Sequence, residues 1–225
     1  KLNDDYRAQM FRYTNSFKEA RFLRAYFYFN LVRAYGDVPY FTEMVTTDQV
    51  NSLTRTPAQE IFNAIIAECD KLSTELPADY TKLGLDGIAP AENGRVTCYA
   101  ALALKARAAL YAASPLFNPE NNKDLWRRAA EANKEVIETC TANGFKLSKY
   151  SELWGPNNWS NNEMIFVRRY NGNISTLEEY NFPMGVPGGN SGNCPTQNMV
   201  DAYEMKATGK MWNETGSGYD ASNPY

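Results

Sequence analysis

The sequence contains no histidine. That absence excludes Ser-His-Asp and Cys-His nucleophilic machinery from these residues and removes the usual imidazole ligands of catalytic zinc. An excess of one charge is missing as well. The 23 basic and 26 acidic residues leave a formal net charge of -3 with no long single-sign run, so there is no electrostatic footprint for nucleic acid or for an anionic membrane surface. Cysteine is scarce: Cys69, Cys98, Cys140 and Cys194 show no CxxC spacing, and Cys69 and Cys140 fall on the apolar faces of predicted helices, where a thiol packs as a small hydrophobe. There is also no initiator methionine, signal peptide or targeting segment. The chain opens on Lys1-Leu2-Asn3-Asp4 and reads as an internal piece of a longer protein.

What is present is apolar bulk. With 225 residues and 44% apolar content the chain can bury one sizeable core, or one large and one small. The densest stretch is KEARFLRAYFYFNLVRAYGDVPYF, Lys18 to Phe41. At about 100° per residue, Ala20, Leu23, Phe27, Leu31 and Ala34 share one face and Phe22, Tyr26 and Phe29 another. Arg21, Arg24, Tyr28 and Tyr35 form a narrow polar stripe, whose stems can pack while their heads reach carboxylates or carbonyls. Arg24 and Arg33 interrupt a run already shorter than the ~20 residues of a membrane span, so the segment reads as a helix at the centre of a soluble body. Gly36 offers the left-handed closing residue, and Pro39 prevents resumption.

Three more helices are predicted. Thr56-Pro57-Ala58-Gln59 reads as a capping box ahead of Ile61, Phe62, Ile65, Ile66, Cys69 and Leu72, stopped at Leu76-Pro77. Val96 to Ala113 is rich in alanine, which lets neighbouring helices approach closely, and Ser114-Pro115 ends it. Asp124 is placed as the cap of a fourth helix carrying Trp126, Ala130, Ile137 and Cys140 on one side, closed by Asn143-Gly144. Phe27, Leu31, Ile65 and Leu102 are the expected core residues. The texture then changes. Residues 151–200 hold ten asparagines, six glycines and four prolines, and helical periodicity disappears. Met164 to Val167 has strand character, and Thr196 to Tyr203 reads as a short capped helix. The fold class is therefore mainly α: stacked helical hairpins over residues 1–145, and an irregular, loop-rich part with a short strand over 146–225.

Five stretches, in order, resemble the SusD/RagB family: EARFLRAYFYFNLVRAYGDVPYF, RTPAQEIFNAIIAECDKLSTELP, GRVTCYAALALKARAALYAASPLF, PTQNMVDAYEM and GSGYDASNPY. The resemblance implies an outer-membrane, cell-surface lipoprotein that captures glycans or similar nutrients and hands them to a SusC-type TonB-dependent transporter. It also implies a scaffold of degenerate tetratricopeptide-like helix pairs, although the uneven helix starts show no 34-residue period. The family's lipid-bearing amino-terminal region is missing here, so the membrane is expected to be reached only through an anchor outside these residues. The chain stops where the family continues into an Asn-Arg-Asp-Pro-Arg run.

Sugar rings present C–H faces and a rim of hydroxyls, so their sites combine flat aromatics with amides, carboxylates or guanidinium groups. The segments Trp154 to Glu163, Glu178 to Asn193 and Lys210 to Asp220 supply those types. Trp159, Tyr180, Asn190 and Trp212 are the candidate ligand-binding residues, because they sit among polar loop neighbours that offer little apolar cover. Trp154, next to the predicted strand, reads as core. No catalytic residue, metal ligand or cofactor is expected. Two other readings stay open at this point. One is a helical adaptor binding only protein, which leaves the aromatic loops unexplained. The other is a glycoside hydrolase using Glu178 and Glu179, or Asp201 and Glu204, whose spacing suits solvated surface charge better than a facing pair.

Overall fold

The aromatic segment is the second half of one long helix, α1 (Leu2–Tyr35), in a computed structural model that describes residues 2–80, 94–153, 161–167 and 180–223. It extends well upstream of Lys18, where the dense apolar stretch begins. After it come α2 (Thr47–Val50), α3 (Ala58–Glu75), α4 (Cys98–Ala113), α5 (Lys123–Ala142), a 3-10 turn at Tyr150–Glu152 and α6 (Gln197–Asp201). Well over half of residues 15–145 is helical, as the periodicity predicts. Residues Lys1–Arg168 form one compact unit and Arg169–Tyr225 a second. No helix among the described residues is long and apolar enough to cross a membrane.

Within the first unit the helices stack in the order α1, α3, α4, α5. Gly36 closes α1 as expected: its φ is +69° and its N–H donates to Val32 O at 2.8 Å. The chain then pairs once with the entry to α3, where Thr56 N donates to Val38 O at 2.9 Å. The predicted capping box at Thr56 is not formed. Asp37 Oδ1 accepts from Ala58 N at 2.8 Å instead, and the Gln59 amide donates to Ala112 O and Phe117 O, tying α3 to the end of α4. A capping box occurs at Thr46 and Gln49, ahead of α2. Asn122, not Asp124, caps α5, and buried Asn118 positions that cap by accepting from Asn122 N at 2.8 Å while donating to Ala113 O.

The core is where these helices meet. Phe22, Phe29 and Val32 of α1 pack with Ile61, Phe62, Ile65 and Leu72 of α3 and with the alanine face of α4. Ile65 and Leu102 are buried as expected, but Phe27 is 59% exposed and Leu31 43%. The reason is geometric: α1 lies at one end of the stack, so only one of its two apolar faces is covered. The other face, with Leu23, Phe27 and Leu31, borders a shallow apolar groove together with Val38, Phe41 and Val50. The predicted strand at Met164–Val167 is also absent: Ile165 and Phe166 form a bend that follows the turn at Asn162-Glu163, with no partner strand among the described residues. Phe166 instead sets its ring edge-on to Phe22, with centroids 5.6 Å apart.

The polar stripe of α1 ties helices together. Arg21 donates to Glu68 and Glu75 of α3 at 2.6 Å each, Arg24 donates to Thr42 O at 2.9 Å, and the Tyr28 hydroxyl bonds both backbone groups of Phe41. The hydrogen bond from Arg21 holds the Glu68 carboxyl below the ordinary glutamate range, against the opposing pull of burial. A carboxyl depressed in the folded state stabilises above its unfolded pKa, and that stability is lost as pH falls through the folded value. Glu68→Gln is therefore expected to melt below wild type at pH 7, with the gap closing as thermal melts are taken down to pH 3. A gap independent of pH would show that the ion pair is not its source.

Burial separates the cysteines chemically. Cys69 has no exposed surface, and desolvation pushes its thiol up to about 12, whereas Cys194 is exposed. A thiol-alkylating reagent is expected to modify Cys194 in the native chain and Cys69 only after unfolding, read by mass spectrometry of the labelled peptides. Equal labelling of the two in the native state would contradict the placement of α3.

Candidate functional site

The second unit builds its site from a short helix and two tight turns. Thr196 caps α6, which places Gln197 and Asp201 one turn apart on the same side, and Gln197 Nε2 donates to Asp201 Oδ1 at 2.7 Å. The chain then closes on itself. Thr208 and Gly209 both donate to Met205 O, and Met205 N donates to Lys210 O at 2.8 Å. Gly209 adopts φ +63°, a conformation that favours glycine.

Ser217 is the hub of the second turn. It is 5% exposed, and its hydroxyl donates to Trp212 O at 3.0 Å while accepting from Tyr219 N at 3.2 Å. Its own carbonyl accepts from Thr208 Oγ1 at 2.8 Å. Gly216 and Gly218 flank it with φ +77° and +79°, so the Gly-Ser-Gly run folds Tyr219 back onto Trp212. The two rings meet edge to face with centroids 5.5 Å apart, each 38% exposed. They border a cavity of about 210 Å³ whose polar heads are Gln197, Asp201, Glu204 and Lys206, with Tyr203 as a third ring.

The arrangement offers aromatic surface fixed by a buried hydroxyl, two carboxylates and an amide that can pair adjacent hydroxyls, and one ammonium. These are the groups that a small polyhydroxylated ligand calls for: flat rings for its C–H faces and polar heads for its rim of hydroxyls. Because the rings are held before any ligand arrives, little ordering cost falls on binding.

Of the four residues named from the sequence, Trp212 lines this cleft. Tyr180 and Asn190 belong to another closed loop, where Gly192 N donates to Tyr180 O at 2.7 Å and the Asn190 amide donates to Gly188 O at 3.2 Å. The Tyr180 ring lies so close over Gly192 that a Cβ there would fall 1.9 Å from the ring. Tyr180 therefore anchors its own loop while remaining 55% exposed, and neither it nor Asn190 is among the residues lining the Trp212 cleft. Trp159, like Trp154, lies outside the described residues. Sequence reasoning missed Tyr203, Ser217 and Tyr219. The signal for the last two was present in WNETGSGY, where a glycine on each side of a serine marks a reversal able to bring a tyrosine back to a tryptophan.

Comparison with known proteins adds a family. A SusD-like family model, described as starch-binding and associating with the outer membrane, matches residues 1–110. A SusD-like protein P25 from Formosa agariphila is 25% identical over 149 residues, which is 66% of this chain and 24% of that protein. The crystal structure of a SusD-like carbohydrate binding protein from Bacteroides fragilis superposes with a TM-score of 0.68 at 27% identity, covering 92% of this chain and 37% of that one. A second SusD-like protein from Bacteroides fragilis gives a TM-score of 0.61 at 27% identity, covering 86% and 36%. The chain thus spans about a quarter of the length of the first relative and somewhat over a third of these two solved chains.

Proposed function

From its place in the SusD/RagB family, to which this chain belongs, we propose that the whole protein captures glycan at the cell surface of the outer membrane, binds it without turnover, and delivers it to a SusC-type TonB-dependent transporter. The observation that carries the reading is the Trp212–Tyr219 ring pair held by Ser217 beside Asp201 and Glu204. Aromatic faces next to paired hydrogen-bonding heads recognise sugar rings, and a ring pair fixed by a buried hydroxyl presents them without reorganisation. Trp159, Tyr180 and Asn190 remain candidates for further contacts of the same kind. Lipid anchoring belongs to the same family reading.

The test is calorimetric titration of the full-length protein with soluble oligosaccharides from a polysaccharide panel, with reducing ends assayed in the same mixtures after prolonged incubation. Saturable heat with no new reducing ends is expected. Release of reducing ends would replace the reading with a glycoside hydrolase. Capture of the transporter with no heat from any saccharide would replace it with a protein-binding adaptor.

A further inference from the structure

A second cleft lies wholly within the helical unit. The chain leaving α3 at Pro77-Ala78-Asp79, the first turn of α4 at Tyr99, the close of α5 at Asn143-Gly144-Phe145 and the turn Asn161–Met164 together border a cavity of about 730 Å³. That volume falls within the ~300–1,000 Å³ of sites for drug-sized ligands and is more than three times that of the Trp212 cleft. Its apolar part is a second ring pair, Tyr99 and Phe145, edge to face with centroids 4.9 Å apart, beside Met164. Burial foremost, with the nearby Cys98, Cys140 and Asp79 adding to it, pushes the Tyr99 phenol upward, so it stays protonated at neutral pH.

The walls are fixed by their own hydrogen bonds. Gly144, at φ +89°, reverses the chain after α5, and Phe145 N donates back to Cys140 O at 3.1 Å. The two loops then clasp each other: Lys146 N donates to Asn162 O at 3.3 Å, Ser148 N to Glu163 Oε2 at 2.8 Å, and Ser148 Oγ to Asn161 Oδ1 at 2.6 Å. These bonds also orient the side-chain amides. Asn161 Oδ1 accepts from Glu163 N as well, a donor that cannot be reversed, so the Asn161 NH2 group is left to donate. Asn143 Nδ2 is committed to Thr139 O at 2.8 Å, so its Oδ1 is left to accept. One fixed donor and one fixed acceptor on the border of an aromatic-floored cleft suit vicinal hydroxyls, each of which both donates and accepts. None of the described lining residues is basic, so the cleft offers no cationic partner to a uronate or sulfate group.

We infer that this cleft is a second carbohydrate subsite, on the helical unit, that takes a neutral oligosaccharide longer than one ring. The inference rests on the proposed glycan-binding function but not on the Trp212 cleft, and the methionines allow the two to be read apart. Met164 lines the helical cleft and Met205 the Trp212 cleft. In the full-length protein labelled with 13C at the methionine methyls, Met164→Leu and Met205→Leu assign the two signals. The probes are neutral malto-, xylo- and galacto-oligosaccharides of about six residues, with oligogalacturonate as the charged control.

A saturable shift of Met164 is expected with at least one neutral probe and none with oligogalacturonate. Asn161→Asp, which keeps the accepting oxygen and removes the donor, and Asn143→Ala should each raise the midpoint for Met164 at least tenfold and leave that for Met205 unchanged. A shift of Met164 with Met205 unmoved would support this subsite and count against the Trp212 cleft. A saturable shift of Met205 with Met164 unmoved would overturn the subsite alone, as would a Met164 response unchanged in both asparagine variants. If no neutral probe moved either signal, both sites would be overturned.

Discussion

Phe29→Ala is expected to destabilise the 225-residue chain by about 3–5 kcal/mol, the usual cost of emptying a buried phenylalanine site. Two residues away, Phe27→Ala is expected to cost less than about 1 kcal/mol. Phe29 is 2% exposed, sits among α1, α3 and α4, stacks edge-on against Tyr111 at 5.2 Å, and has the guanidinium carbons of Arg33 and Arg107 about 6 Å from its ring centre. Removing it leaves a void lined by residues that three helices hold apart, with little room to collapse. Phe27 points to the uncovered face, so its truncation removes surface already in water. Urea unfolding of the two variants beside wild type checks the pair. Equal losses would mean that both faces of α1 are covered in this chain.

That contrast marks the boundary of what α1 discloses in its residues. Periodicity places Phe22 and Phe29 on one face and Leu23, Phe27 and Leu31 on another, and both faces are apolar enough to be core. Which one is covered depends on where the helix lies in the stack, and no residue within α1 encodes that. Elements with local causes are legible: the glycine that closes α1, the Ser114-Pro115 stop after α4, the Asn143-Gly144 close of α5. Caps assigned by pattern alone are less secure. Thr56-Pro57-Ala58-Gln59 has the residues of a capping box, yet Asp37, nineteen positions upstream of Thr56, supplies the acceptor, a long-range choice that a four-residue pattern does not contain. Met164–Val167 has the composition of a strand but no strand beside it among the described residues, and β propensity without a partner does not make a sheet.

Trp212→Ala is expected to weaken glycan binding by roughly 1–3 kcal/mol, about 5- to 150-fold in Kd, with helix content and melting nearly unchanged. The indole offers the largest flat surface in its cleft and is paired with Tyr219, so its loss removes stacking area and also leaves the tyrosine ring without its neighbour. The residues lining that cleft lie between Gln197 and Tyr219 and none belongs to α1, α3, α4 or α5, so circular dichroism should not change. Ser217→Ala should produce a smaller loss by a different route: the hydroxyl that links Trp212 O to Tyr219 N disappears and the rings are no longer pre-positioned. Trp212 could be named from its sequence neighbourhood, because a tryptophan among polar loop residues lacks local apolar cover. Its partner could not be named so directly, since Tyr219 meets it only through the Gly-Ser-Gly reversal. Tyr180 shows the limit of the same reasoning: it too sits in a polar loop, but the glycine at 192 lets the loop cover one face of its ring.

The most direct measurement is native affinity electrophoresis of the full-length protein and its Trp212→Ala variant through gels containing neutral polysaccharides such as amylopectin, xylan and galactan. Wild type is predicted to be retarded by at least one of them, with the variant migrating in that gel nearly as it does without polysaccharide. Migration of wild type unaffected by every polysaccharide, or equal retardation of wild type and variant, would contradict the assignment of glycan capture to the Trp212 cleft.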